Sequence, residues 1–126
     1  MTEPKGEMAI RTLAMPADTN PHGDIFGGWL ISQMDIAGGI TARARAAGRV
    51  ATIAVTGFTF HRAVRVGDVV CCYADVQKVG TTSITIGVEA WVLRPQESKD
   101  RFKVTEGVFT FVALDDEGNK RPVPPE

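Results

Sequence analysis

From residue 25 to residue 47 the chain carries no proline, and Phe26, Trp29, Leu30, Met34, Ala37, Ile40 and Ala44 recur at three- and four-residue spacing. That periodicity predicts one long helix. Past Gly48 the period drops to two: residues 50–60, 69–79, 81–93 and 104–114 are rich in Val, Ile, Thr and Phe and read as four strands. Residues 8–15 read as a short strand ahead of the helix, closed by Pro16. The strands after the helix are joined mostly by short turns, at Gly67-Asp68 and Gly80, with a polar connection over 94–101. Short connections force antiparallel pairing, so the expected class is α+β, with one helix covered by one curved sheet.

The helix is punctuated at both ends. Asp24 stands where an N-cap accepts backbone N–H bonds, and Gly48 where a left-handed residue closes the last turn. Residues 25–42 are apolar or small nearly all round, more than one sheet can cover. A second subunit is therefore expected on the remaining face, with Gly38 and Gly39 permitting close approach there. In the third of the four later strands Thr82, Ile84, Ile86, Val88, Ala90 and Val92 share one face, the face that seeks a core. The chain of 126 residues is one domain, with residues 1–6 and 119–126 expected to be loosely ordered.

Composition excludes several classes. With 44% hydrophobic and 23% charged residues and a net charge of −1, the chain reads as an ordinary globular protein. It lacks the basic field of a nucleic-acid binder, and no apolar run reaches the roughly 18 residues of a membrane span. With no signal-like start, cytoplasmic residence is expected. Adjacent Cys71 and Cys72 point to opposite faces of a strand and read as small core residues. The two histidines lack ligand spacing for a metal.

Two features carry chemistry. Asp35 is the only ionisable side chain between residues 25 and 42, and a carboxylate among apolar neighbours must be paired, protonated or used. A structural hydrogen-bond network explains such a group as well as catalysis does. The second feature is the polar loop Asp18-Thr19-Asn20-Pro21-His22-Gly23-Asp24 feeding a helix that opens with Gly27 and Gly28. Each glycine weakens a helix by about 1 kcal/mol relative to alanine, so a pair suggests close approach to the backbone. Free amides and the positive end of the helix dipole are then available to a carbonyl oxygen; tight packing of the helix start is the other explanation.

The run MPADTNPHGDIFGGWLISQMDIAGG, followed by FTFHRAVRVGDVV and KVGTTS, resembles the YciA-like acyl-CoA thioesterases of the hot-dog superfamily over most of residues 10–115. The resemblance implies a five-stranded antiparallel sheet wrapped around one central helix, dimers that assemble further into hexamers as trimers of dimers, and hydrolysis of acyl-CoA, a step of fatty acid metabolism. It aligns Asp35 with the family's catalytic acid and Asn20 with its loop asparagine. Phe26 stands where several relatives carry histidine, so no role of that imidazole carries over, and His22 is read as a loop residue. Val55, Thr56 and Phe58 lie beside the site in such folds and are candidates to line an acyl tunnel. Coenzyme A is then part of substrate and product, and no cofactor is expected.

Gly27 and Asp35 are eight residues apart, which on a helix is about 12 Å. One thioester carbon cannot touch both, so a site using both must combine two chains. In the expected mechanism the Gly27 and Gly28 amides polarise the carbonyl, Asp35 activates water or attacks directly, and Asn20 orients the water. The phosphates of CoA call for local basic residues. Among the six between residues 43 and 78, Arg62 and Lys78 are candidates, with Gly80, Thr81 and Ser83 offering hydrogen bonds to the pantetheine. Solvated strand ends would show the same charges. A hot-dog hydratase would want a His shortly after Asp35 on the helix, which is absent. A non-catalytic acyl-CoA-binding domain would share the groove and dispense with Asp35 and Asn20.

Overall fold

The computed structural model describes residues 3–126; the expectation of a loose start at residues 1 and 2 lies outside the described residues. Strand β1 (Glu7–Leu13) leads through a single 3-10 turn (Pro16–Asp18) to helix α1 (Gly27–Ala46), followed by β2 (Val50–Phe60), β3 (Val69–Val79), β4 (Ser83–Arg94) and β5 (Ser98–Ala113). All five strands form one antiparallel sheet in the order β1-β3-β4-β5-β2. The sheet curves around α1, which contacts every strand. This is the hot-dog architecture.

The core is built by the faces read from the pattern. Ile84, Ile86, Val88, Ala90 and Val92 of β4 are buried in one cluster with Leu30, Met34, Ala37 and Ala42 of α1 and with Phe109 and Phe111 of β5. Cys72 joins this core, and Cys71 packs on the opposite face with Tyr73 and Trp91. Gly38 serves the chain's own sheet rather than a partner: a Cβ there would stand 3.0 Å from the Phe111 ring and 3.3 Å from Val88.

Several boundaries differ from expectation. The helix starts at Gly27 with Phe26 as its cap and no side-chain cap bond, so Asp24 is not the N-cap. Residues 18–26 are spent on the loop instead: Thr19 bridges Ile25, and the Ile25 amide bonds the Val64 carbonyl. At the other end Ala47 takes the left-handed conformation and Gly48, at φ 156°, donates back to the Arg43 carbonyl. The expected polar connection over 94–101 is mostly β5, leaving a turn of three residues. The C-terminal segment is tied down. Arg121 bonds the carbonyls of Ala46 and Leu114, the Val123 amide bonds Thr81, and Arg45 holds the Pro124 carbonyl.

Two links cross the sheet: the one from β1 to β2, which carries α1, and the shorter one from β2 to β3. A buried ion pair anchors the second link. Arg94 of β4 reaches both oxygens of Asp68, at 2.9 and 2.8 Å, and also the Ala63 carbonyl at 3.4 Å. Both side chains are essentially without solvent contact.

Candidate active site

Strand registers define two ends of the sheet. Val50 pairs with Ala113, Ser83 with Val112 and Val79 with Ile84, so these residues share one end. Phe60, Phe102, Val92 and Val69 share the other. Helix α1 runs from the Phe60 end toward the Val50 end: a Cβ at Gly27 would lie 3.7 Å from the Phe60 ring, while Ala46 is reached by Arg121.

Asp35 sits midway along α1, half-buried rather than enclosed in the single chain. Its Oδ1 accepts a 2.6 Å hydrogen bond from the Thr52 hydroxyl of β2. That bond orients the carboxylate and ties it to the Val50 end. The sequence reading did not single out Thr52, because pairing of strand and helix residues seventeen apart has no local signature.

Asn20 organises the loop ahead of the helix. Its Oδ1 accepts the backbone amides of His22 (2.9 Å) and Asp24 (3.2 Å), and its backbone N–H donates to the Asp24 carbonyl (2.7 Å). With the oxygen so used, the Asn20 NH2 is what the side chain can offer a reactant. Gly27 and Gly28 occupy the first turn, where amides have no carbonyl one turn back. The Phe26 ring lies over Gly28, and a Cβ there would come 2.6 Å from it, so the second glycine is explained by packing.

The residues named for the CoA arm divide between the ends. Arg62 follows β2 at the Phe60 end and stacks over the Phe102 ring at 3.8 Å. Lys78, Gly80, Thr81 and Ser83 lie at the Val50 end, with the Ser83 carbonyl accepting the Gly80 amide at 2.7 Å. Thr85, opposite Lys78, is nine steps along β4 from Arg94, which touches Ala63. That is about 30 Å of strand, so one chain does not bring Arg62 and Lys78 together. Val55 and Thr56 are exposed on β2, and Phe58 packs at 5.9 Å on Phe109, edge to face.

An unpartnered apolar surface adjoins these groups. Phe26 at the cap of α1, Ile36 and Ile40 of α1 and Ile53, Val55 and Phe60 of β2 are each about half exposed. Strand β2 is also a sheet edge eleven residues long. Among the described residues, no helix is long and apolar enough to cross a membrane.

Comparison with known proteins agrees with this architecture. Residues 22–99 match the family model described as the thioesterase superfamily. The acyl-CoA thioester hydrolase YciA of Salmonella typhimurium is 58% identical over 123 residues, covering 96% of this chain and 92% of its own. HI0827, described as a hexameric broad-specificity acyl-coenzyme A thioesterase and solved as an aspartate-to-alanine variant, superposes with a TM-score of 0.94 at 52% identity, over 97% of this chain and 89% of its own. A hexameric thioesterase of Yersinia pestis gives 0.92 at 57% identity, over 98% of this chain and all of its own. The chain therefore belongs to the YciA-like acyl-CoA thioesterases of the hot-dog superfamily, as its sequence motifs implied.

Proposed function

We propose that this chain hydrolyses acyl-CoA thioesters to the free acid and CoA in a site shared by two copies, Asp35 coming from one and Asn20, Gly27 and Gly28 from the other. One observation carries the reading. Asp35 is tethered at the Val50 end of β2, whereas Gly27 lies at its Phe60 end. Antiparallel pairing of two β2 edges about a two-fold axis lays the Val50 end of each against the Phe60 end of its partner. The same operation brings the Gly80 to Ser83 turn of one copy toward Arg62 of the other. Pairing would also cover the exposed row of Phe26, Ile36, Ile40, Ile53, Val55 and Phe60. The relatives described as hexameric support further assembly of such dimers.

The chemistry follows from the groups. The partner's Gly27 and Gly28 amides polarise the thioester carbonyl and stabilise the oxyanion. Asp35, with Oδ1 held by Thr52, uses its other oxygen to take a proton from water, or attacks the carbonyl itself. The Asn20 NH2 orients the water. Collapse of the tetrahedral intermediate breaks the carbon–sulfur bond; on the water route the departing thiolate takes the proton that Asp35 had accepted, and on the direct route it leaves an Asp35 anhydride that water then hydrolyses to the free acid, its protons going to the thiolate and to solvent. No group beyond the substrate is needed, so the enzyme is expected to work without cofactor or metal.

Mixing of variants tests both residues and the sharing. Asp35→Asn and Asn20→Ala chains, each folded by circular dichroism, should each be nearly inactive. When the two are unfolded and refolded together, half the dimers are mixed and each holds one intact site, so activity should return to about a quarter of wild type. Full activity of Asp35→Asn, or no recovery on mixing, would remove the proposal.

A further inference from the structure

The sequence closes with Arg121-Pro122-Val123-Pro124-Pro125-Glu126. Each proline fixes its own φ at about −65° and has no N–H, so from 122 to 125 only Val123 can donate a backbone hydrogen bond. That N–H goes to the Thr81 carbonyl at 2.8 Å, and the Val123 side chain packs on the core. Both flanks of the bond are fastened to other elements. The Arg121 guanidinium donates to the Ala46 carbonyl at the end of α1 and to the Leu114 carbonyl, each at 2.8 Å, and its backbone N–H to the Ala113 carbonyl at 3.0 Å. Arg45 of α1 holds the Pro124 carbonyl at 2.6 Å. A segment stiffened in advance by proline, whose ordering costs little chain entropy, thus joins the helix that carries Asp35 to the turn between β3 and β4.

That turn has its acceptors used and its donors left over. The Ser83 carbonyl takes the Gly80 amide at 2.7 Å, the Thr82 carbonyl the Ala113 amide at 2.9 Å, and the Thr81 carbonyl the Val123 amide. Among the described residues the backbone N–H groups of Thr81 and Thr82 and the hydroxyls of Thr81 and Ser83 have no partner. Donors without acceptors suit a ligand rich in carbonyl and hydroxyl oxygens, as a pantetheine arm is. Strand register puts the turn within reach of such an arm. Thr52, which holds Asp35, pairs with Phe111, and Phe111 pairs with Ile84, next to Ser83. Two strand spacings are about 10 Å, beyond a cysteamine unit and inside the roughly 14 Å of the whole arm. We propose that Val123 is a positioning residue: with Arg121 and Arg45 fastening its segment to α1, its N–H holds the Gly80 to Ser83 turn where the free donors meet the pantetheine arm of the substrate. This rests on the acyl-CoA reading above.

Three substrates that share one thioester and differ in the arm test it: butyryl-CoA, S-butyryl-pantetheine and S-butyryl-N-acetylcysteamine. Val123→Pro deletes the N–H and keeps an apolar side chain, whereas Val123→Ala keeps the N–H. Misplacing the turn loses about one net hydrogen bond to the arm, on the order of fivefold in binding. Val123→Pro should therefore raise KM by about that factor for the first two substrates, with kcat unchanged and the third substrate unaffected. Val123→Ala should leave all three near wild type. Arg121→Met, which unfastens the segment from α1, should repeat the Val123→Pro pattern and replaces that variant if circular dichroism shows it unfolded. An unchanged KM, an equal loss on all three substrates, or a Val123→Ala that matches Val123→Pro would overturn the assignment. So would a wild type that cleaves the N-acetylcysteamine thioester as well as butyryl-CoA. If wild type cleaves none of the three, the enzymatic reading falls and the positioning role is read by calorimetry: weaker binding of pantetheine to Val123→Pro than to Val123→Ala upholds it, and equal binding overturns it.

Discussion

Removing one oxygen pair from the interior should cost this protein more than any surface change. In Asp68→Ala, the carboxylate that accepts both Arg94 bonds and the Arg65 amide at 2.8 Å disappears, leaving a guanidinium that is only 2% exposed with a single acidic neighbour, Glu97, at 3.2 Å. Breaking a buried pair from one side costs about 3–5 kcal/mol, because the remaining charge stays desolvated. With an unfolding entropy near 2.1 cal/mol/K per residue over 126 residues, a loss of roughly 4 kcal/mol lowers Tm by about 15 °C. Thermal unfolding followed by circular dichroism, at one fixed protein concentration, measures it. Burial on its own raises the Asp68 pKa, but the Arg94 hydrogen bonds, the Arg65 amide and both arginine charges outweigh it and hold the carboxyl below its ordinary 3.8. Folding thus favours the ionised form. The advantage of wild type over Asp68→Ala is full above that ordinary value and is lost as pH falls through the lowered one. A drop in Tm under 5 °C at pH 7, or a difference that grows on acidification, would refute the reasoning.

Gly38→Ala should destabilise the fold by about 1–3 kcal/mol, since the added methyl must displace the Phe111 ring at 3.0 Å in a packed core; urea titration checks it, and an unchanged midpoint would show the ring free to move. Burial, aided by the neighbouring Cys71, pushes the Cys72 thiol up to about 12, so at pH 8 a disulfide reagent should label it only after unfolding; fast labelling of the native protein would contradict this.

Local pattern carried much of this protein. The switch of period after Gly48, the inward face of β4 and the opposed cysteines follow from side-chain direction, which neighbouring residues set among themselves. The family motifs added the hot-dog architecture and pointed to Asp35 and Asn20. Composition and spacing also showed that Gly27 and Asp35 cannot meet one carbon within one chain. Tertiary structure decided what depends on pairing between distant segments. The order β1-β3-β4-β5-β2 puts β2 on an edge and sends Arg62 and Lys78 to opposite ends, which no run of residues records. Likewise the Thr52 bond to Asp35, the Arg94 pair with Asp68 and the Val123 bond to Thr81 join groups from separate elements. Periodicity describes which way a side chain points; what it meets depends on chain closure over long separations, where the free energy of packing the whole sheet on the helix selects the partner.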